Sequence, residues 1–374
     1  MVVKLIDLDR VNGSAFNSFL NELIRLKGSD EAFPFWINGK NKELFEDSFG
    51  KEISGCDYNI GVGNGYDAIR IGTKALISAG ILKIGDEVLV PTNTFIASAS
   101  ALIDAGLKVK FVDVEKDDGL ASVNCFTEGV TERTKAIMCV HLYGKASKLK
   151  ELYDFCEVNN IVLMEDCAQA HGARSDQIVC GSAGNISFYS FYPGKSLGAL
   201  GDGGMISTCN LAIANHCRMI SNYGSREKYK YESIGQNSRL DEIQAIFLIE
   251  KLKTYFENCK KRIALAKLYC DSINNPNIEL MNYGNMDGDH IFHLFPVLVR
   301  NRKTFQSYMS KCEIETGVHY PQSLDKLEIF KNVERVKIKN AHIISESIVS
   351  LPMHECLERA EINHVIEMVN NFSC

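Results

Sequence analysis

The chain has 374 residues, 45% of them hydrophobic and 24% charged, enough for one large domain with a smaller one beside it. A formal net charge of −6 provides no basic field for nucleic acid, so an anionic ligand must be held by a few local donors. The 13 cysteines include no C-x-x-C pair, which argues against a zinc or dithiol redox motif and for reduced thiols that mostly fill the core.

In chain order, residues 1–10 begin with a short apolar stretch but meet Asp7 and Asp9 before a signal-length hydrophobic run forms. No membrane-spanning run follows, so the cytoplasm is the expected location. Residues 57–62 read as a strand running into Gly63-Asn64-Gly65. A helix is predicted over 66–78, where Ala68, Ile69, Gly72, Ala75 and Leu76 recur at helical spacing. Compact apolar runs at 87–90, 109–112, 136–140, 161–164, 186–191 and 205–207 alternate with helix-length segments such as 95–105 and 148–159. This alternation predicts an α/β fold with a large, doubly wound, mainly parallel sheet. Residues 240–272 read as one long helix bridging the large domain, 1–250, to a smaller C-terminal α+β domain, 251–374.

Two glycine motifs invite other readings. Gly194-Lys195-Ser196 resembles the end of a P-loop, but the glycine required five residues before Gly194 is Tyr189. Gly63-Asn64-Gly65-Tyr66-Asp67-Ala68 fits G-x-G-x-x-A for NAD, yet Asp86 and Glu87 precede the second strand instead of closing it, where a ribose-binding acid belongs. What survives is a strand that ends in glycines and opens a helix, which presents backbone N–H groups to a phosphate or simply makes a tight turn.

Lys195 lies among aromatic and small residues directly after an apolar strand. Burial there would lower its pKa, as an amine that attacks an aldehyde requires. Upstream, 161–166 is a buried-looking strand ending in Glu165 and Asp166, at the carboxyl edge where open α/β sheets place ligands. Asp166 is either a helix cap or a carboxylate seeking a cationic partner such as a pyridinium nitrogen. At ~3 Å and an effective dielectric of ~20 that attraction is roughly 5 kcal/mol before desolvation.

Six segments in order resemble the DegT/DnrJ/EryC1/StrS sugar-aminotransferase family, a branch of the fold-type I pyridoxal-phosphate enzymes. They are Val62-Gly63-Asn64-Gly65-Tyr66-Asp67-Ala68, Val90-Pro91-Thr92-Asn93-Thr94-Phe95, Glu165-Asp166-Cys167-Ala168-Gln169-Ala170-His171-Gly172, the lysine segment 190–204, Asn237-Ser238-Arg239-Leu240-Asp241-Glu242-Ile243-Gln244-Ala245 and Gly317-Val318-His319-Tyr320-Pro321. The resemblance implies that Lys195 forms the Schiff base with pyridoxal 5'-phosphate and shuttles the proton between half-reactions. Asp166 would face the pyridine nitrogen, Gln169 the ring hydroxyl, and Phe95 would stack on the ring. Asn64, Gly65 and Ser190 would hold the phosphate, and Asn237 would reach it from the other subunit of a homodimer. Tyr192, His319 and Tyr320 would face the nucleotide sugar.

Without the resemblance these residues have plainer readings: Phe95 as core, Gln169 as a surface or capping amide, Asn237 as the cap of the following helix, His319 and Tyr320 as fold residues. His171 receives no role. The resemblance further implies glutamate as amino donor, pyridoxamine 5'-phosphate in the cycle and a keto-sugar nucleotide as acceptor. Gly63-Asn64-Gly65 is similar to members that aminate a dTDP-3-keto-6-deoxyhexose, with 4-keto substrates as the alternative. Deoxyamino sugars of this kind would serve O-antigen, S-layer or lipopolysaccharide synthesis. A cofactor-binding regulator is the competing class, and the presence of Lys195 and Asp166 and the absence of a basic patch disfavour it.

Overall fold

The structure, a computed structural model, describes residues 2–27, 36–286 and 288–373; Met1 and Cys374, both included in the sequence readings above, lie outside them. Its centre is a sheet built from β1 (Tyr58–Val62), β2 (Glu87–Pro91), β3 (Lys108–Val112), β4 (Thr134–Val140) and β5 (Val162–Asp166). After the short hairpin β6 (Arg174–Ser175) and β7 (Ile178–Val179), β8 (Ile186–Ser190) and β9 (Gly204–Thr208) complete its main body. The strand order is β1-β9-β8-β5-β4-β2-β3-β14, where β14 (Glu334–Arg335) extends the far edge. Strands β3, β2, β4, β5 and β8 run parallel, whereas β9 is antiparallel to both β8 and β1. Every residue of β2 and β9 is buried, and successive strand residues face opposite sides, so helices cover both faces.

Each apolar run read from the sequence corresponds to one of these strands. Among the helices, α1 (Leu8–Lys27) and α2 (Lys40–Phe49) precede the sheet, and α3 (Gly65–Ser78), α4 (Ala97–Asp104), α5 (Val123–Thr127), α6 (Leu149–Asn159) and α7 (Leu211–Ser221) connect or flank its strands. Helix α3 begins where Asn64 Oδ1 accepts the Asp67 N–H at 2.8 Å, an N-cap that fixes the turn out of β1. It rests on β8 through Gly72, where a Cβ would fall 2.4 Å from Phe188 Cε1.

The long helix expected over 240–272 is two helices, α8 (Glu242–Leu252) and α9 (Tyr255–Ser272). Thr254, at φ −115° and ψ 3°, leaves the helical region. Buried Tyr255 then donates its hydroxyl to His171 O at 2.7 Å and anchors the start of α9. A two-residue break does not disturb apolar periodicity, which is why the sequence reads as continuous.

Beyond a second hairpin, β10 (Ser225–Glu227) and β11 (Lys230–Tyr231), the C-terminal part builds an antiparallel sheet ordered β12-β13-β15 from β12 (Ile278–Leu280), β13 (Phe295–Val299) and β15 (Ile348–Leu351). Helices α10 (Arg302–Lys311), α11 (Asn340–Ser347) and α12 (Arg359–Asn371) accompany it. One apolar cluster joins both sheets, from Val88 and Ile137 through Tyr269 to Val297 and Val349. Among the described residues, no helix is long and apolar enough to cross a membrane.

Candidate active site

The carboxyl ends of β1, β2, β4, β5 and β8 open into a cavity of about 680 Å³. Ten of the eleven residues singled out from the sequence line it: Asn64, Gly65, Phe95, Asp166, Gln169, Ser190, Tyr192, Lys195, His319 and Tyr320. Asn237 does not. It is exposed, pairs by an isolated bridge with Asn222, and precedes Ser238, whose hydroxyl accepts the Gly63 N–H at 2.9 Å.

Asp166, the last residue of β5, is buried, and its carboxylate is oriented from two sides. Ser98 Oγ donates to Oδ2 at 2.6 Å, with Thr94 Oγ1 2.8 Å from Ser98 Oγ, and the Ala168 N–H donates to Oδ1 at 3.1 Å. These bonds use part of the acceptor capacity of the two oxygens and leave the rest for the cavity. No helix follows Asp166, so it is not a helix cap.

Lys195 stands in a tight loop between β8 and β9, closed by Lys195 N–H to Tyr192 O at 2.8 Å and Ala199 N–H to Phe191 O at 2.8 Å. A Cβ on Gly198 would come 2.4 Å from Pro193 O, so the loop admits only glycine there without rearrangement. The residue as a whole is half-buried, but its ammonium is deep enough that burial pushes its pKa down to about 8, with Asp166 pulling in the opposite direction. Burial lowers His171 to about 3 and His319 to about 4, and the positive charge of Lys195 adds to both shifts. His293, a cavity residue on the loop before β13, is held well below its usual value for the same reasons. The direction of these shifts favours the neutral form of all three imidazoles.

At the other end, Gly65 opens α3 against β8: a Cβ there would lie 2.8 Å from Ser190 Cβ. Across the same junction, a Cβ on Gly204 would lie 2.4 Å from Asn64 O. The first amides of α3 and the Ser190 hydroxyl thus meet in a pocket that side chains would fill.

Phe95 is 52% exposed and faces the cavity, its ring centroid 5.6 Å from that of Tyr320, which excludes the core reading. Gln169 is buried, accepting the Tyr143 N–H at 2.7 Å and donating to the Tyr320 hydroxyl at 3.1 Å, so it is no surface amide. His319 Nδ1 lies 2.9 Å from Ser350 Oγ.

Sequence reasoning missed Ser98, Tyr143, His141 and His293. His141 Nδ1 accepts the Ser147 N–H at 3.0 Å, which leaves Nε2–H to donate to Glu165 Oε2 at 3.0 Å. Glu165 also accepts the Gly181 and Gly184 N–H groups at 2.7 and 2.6 Å, fixing the end of β5 next to Asp166. The available signal was Val140-His141-Leu142-Tyr143-Gly144, a polar residue pattern directly after a buried strand.

A half-buried lysine and a buried carboxylate in one cavity at the carboxyl edge of a mainly parallel sheet, with a glycine-lined pocket at one end, are the arrangement of a fold-type I pyridoxal-phosphate enzyme. The comparisons agree. The profile of the DegT/DnrJ/EryC1/StrS aminotransferase family matches residues 29–370. The dTDP-3-amino-3,6-dideoxy-alpha-D-galactopyranose transaminase of Aneurinibacillus thermoaerophilus is 38% identical over 338 residues, 90% of this chain and 92% of the relative. The crystal structure of Streptomyces venezuelae DesV in complex with a ketimine intermediate superposes with a TM-score of 0.91 at 32% identity, covering 99% of this chain and 98% of that one. That of Bacillus subtilis NtdA with bound cofactor PMP gives 0.88 at 27% identity, covering 99% and 85%. The chain belongs to the DegT/DnrJ/EryC1/StrS aminotransferase family.

Proposed function

We propose that the protein is a pyridoxal-phosphate-dependent aminotransferase that moves nitrogen from glutamate to a nucleotide-linked keto-deoxysugar, a dTDP-3-keto-6-deoxyhexose, giving a dTDP-3-amino-3,6-dideoxyhexose. The observation that carries this reading is that Lys195 and Asp166 line one cavity, close enough for Asp166 to act on the Lys195 charge, together with the Gly65–Ser190 pocket. The residues fit the cofactor: a pocket that a Cβ would fill for its phosphate, a buried carboxylate with spare acceptor capacity for its ring N–H, and an amine of lowered pKa for its carbonyl. When bound, pyridoxal phosphate supplies a carbonyl to which amino groups attach and a ring that withdraws electrons from the adjacent carbon.

The chain does the rest. Asn64, Gly65 and Ser190 would hold the phosphate, Phe95 would lie against the ring, and Gln169, already bonded to Tyr143 and Tyr320, would reach the ring hydroxyl. Asp166, fixed by Ser98 and Ala168, would accept the ring N–H and favour its protonated form. Lys195 Nζ would hold and move the proton taken from the amino donor's carbon, a task served by a pKa lowered toward neutrality. Tyr192, His319 and Tyr320 line the side assigned to the sugar nucleotide. Preference for a 3-keto over a 4-keto sugar rests on the Gly63-Asn64-Gly65 segment and on the 3-amino product named for the Aneurinibacillus relative.

The same reading places the enzyme in the cytoplasm, in deoxyamino sugar synthesis for surface polymers such as O-antigen, S-layer glycan or lipopolysaccharide. It makes the enzyme a homodimer with Asn237 serving the neighbouring site, and divides the chain into domains 1–250 and 251–374. Exposure of Asn237 away from its own cavity supports the shared site, and the separate β12-β13-β15 sheet supports the division.

The test is the visible spectrum of the purified protein. A yellow band that glutamate bleaches and a 3-keto sugar nucleotide restores is expected. Restoration by a 4-keto sugar nucleotide alone would move the assignment to that substrate. Binding of cofactor and donor without turnover across a donor panel would mark a regulator.

A further inference from the structure

We infer that Cys56 and Cys209 form a reversible oxidation site, a thiol pair that peroxide-class oxidants close to an intramolecular disulfide. This goes beyond the aminotransferase reading and does not depend on it.

Strand β1 is the edge of the large sheet and pairs antiparallel with β9 from Tyr58↔Thr208 to Val62↔Gly204. Cys56 lies two residues before the first of these pairs and Cys209 one residue after its partner, so both emerge from the same end of the ladder. Their sulfurs stand 3.1 Å apart, the Cys209 S–H directed at Cys56 Sγ, while the Cys56 S–H donates to Gly181 O at 3.3 Å. A disulfide needs ~2.05 Å between sulfurs, a closure of about 1 Å. Because both residues lie outside the hydrogen-bonded register, side-chain rotation provides it without breaking the ladder.

The pair is asymmetric. Cys209 is exposed, whereas Cys56 is 5% exposed and burial pushes its thiol pKa up. Attack on the oxidant therefore belongs to Cys209. Its sulfur takes one oxygen from hydrogen peroxide, giving a sulfenic acid and water. The Cys56 sulfur then displaces that oxygen, which leaves as a second water carrying the Cys56 proton, and the S–S bond forms. Two thiols lose two electrons and two protons, and one peroxide O–O bond is reduced. Neither cysteine lines the active-site cavity, so the reaction leaves Lys195 and Asp166 untouched.

The experiment treats the full-length protein with stoichiometric hydrogen peroxide, blocks remaining thiols with N-ethylmaleimide and maps peptides without reductant. A peptide linking Cys56 to Cys209 is expected, with a loss of about 2 Da per chain that dithiothreitol reverses. Cys209→Ser should keep turnover and lose the linked peptide. Cys56→Ser should accumulate a dimedone-trappable sulfenic acid on Cys209; if that variant fails to fold, the Cys209→Ser comparison alone decides. Cys209 oxidised to sulfinic acid with Cys56 still fully alkylated would overturn the proposal, as would a Cys209 link to a second chain.

Discussion

The reactivity of Lys195 is set by two opposing neighbours, its low-dielectric surroundings and the Asp166 carboxylate. The neutral amine is the nucleophile, so trapping of a small aldehyde by the cofactor-free enzyme, followed with borohydride, should rise with pH to a half-point near 8, well below that of a solvated lysine. Asp166→Asn removes the neighbour that favours the charged amine and should move this half-point to lower pH, while turnover falls on the order of 10²-fold or more. A half-point above 10 in the parent, or one that Asp166→Asn leaves in place, contradicts this account. Lys195 and Asp166 were legible because Asp166 closes an apolar strand and Lys195 lies in the short loop after another, where a charged residue has few reasons to be. Ser98 and Thr94 were not legible. They are ordinary small polar residues at the start of a helix, and only tertiary folding brings Ser98 to a carboxylate 68 positions away.

Among the elements, the junction of β1, α3 and β8 constrains one end of the cavity, because Gly65 meets Ser190 with no room for a methyl group. Gly65→Ala should weaken pyridoxal phosphate binding about tenfold to a hundredfold while binding of pyridoxal, which lacks the phosphate, changes little. Equal losses for both ligands in equilibrium titrations would mean that the pocket does not hold the phosphate. The turn itself was visible in Gly63-Asn64-Gly65, and Asn64 at the N-cap is a residue type that position favours. Strand direction was not visible: apolar runs read the same either way, and nothing in Gly204–Thr208 announces that β9 runs against β8. The two short hairpins were likewise missed, since strands of two or three residues are too brief for periodicity to register.

At the scale of the whole molecule, the position of Asn237 outside its own cavity leads to a mixing experiment. In a homodimer with shared sites, Lys195→Ala and Asn237→Ala subunits are each impaired alone. Mixed subunits rebuild one intact site per hybrid and should recover about a quarter of parental activity. Mixing that restores nothing would show that Asn237 serves its own chain or none.

The pairing of β1 with β9 completes one edge of the large sheet with residues far apart in the chain, Tyr58 against Thr208. Such non-local contacts cost loop-closure entropy before they are made, so this edge is expected to form late. Asn64 and Gly204 meet only when it does. In refolding, recovery of cofactor binding should accordingly follow the slowest phase seen by far-ultraviolet circular dichroism, and earlier recovery would show the pocket assembling without its closing strand. On that order of events, a newly made chain would take up its cofactor only once β9 has joined β1, and cofactor uptake would report a completed sheet.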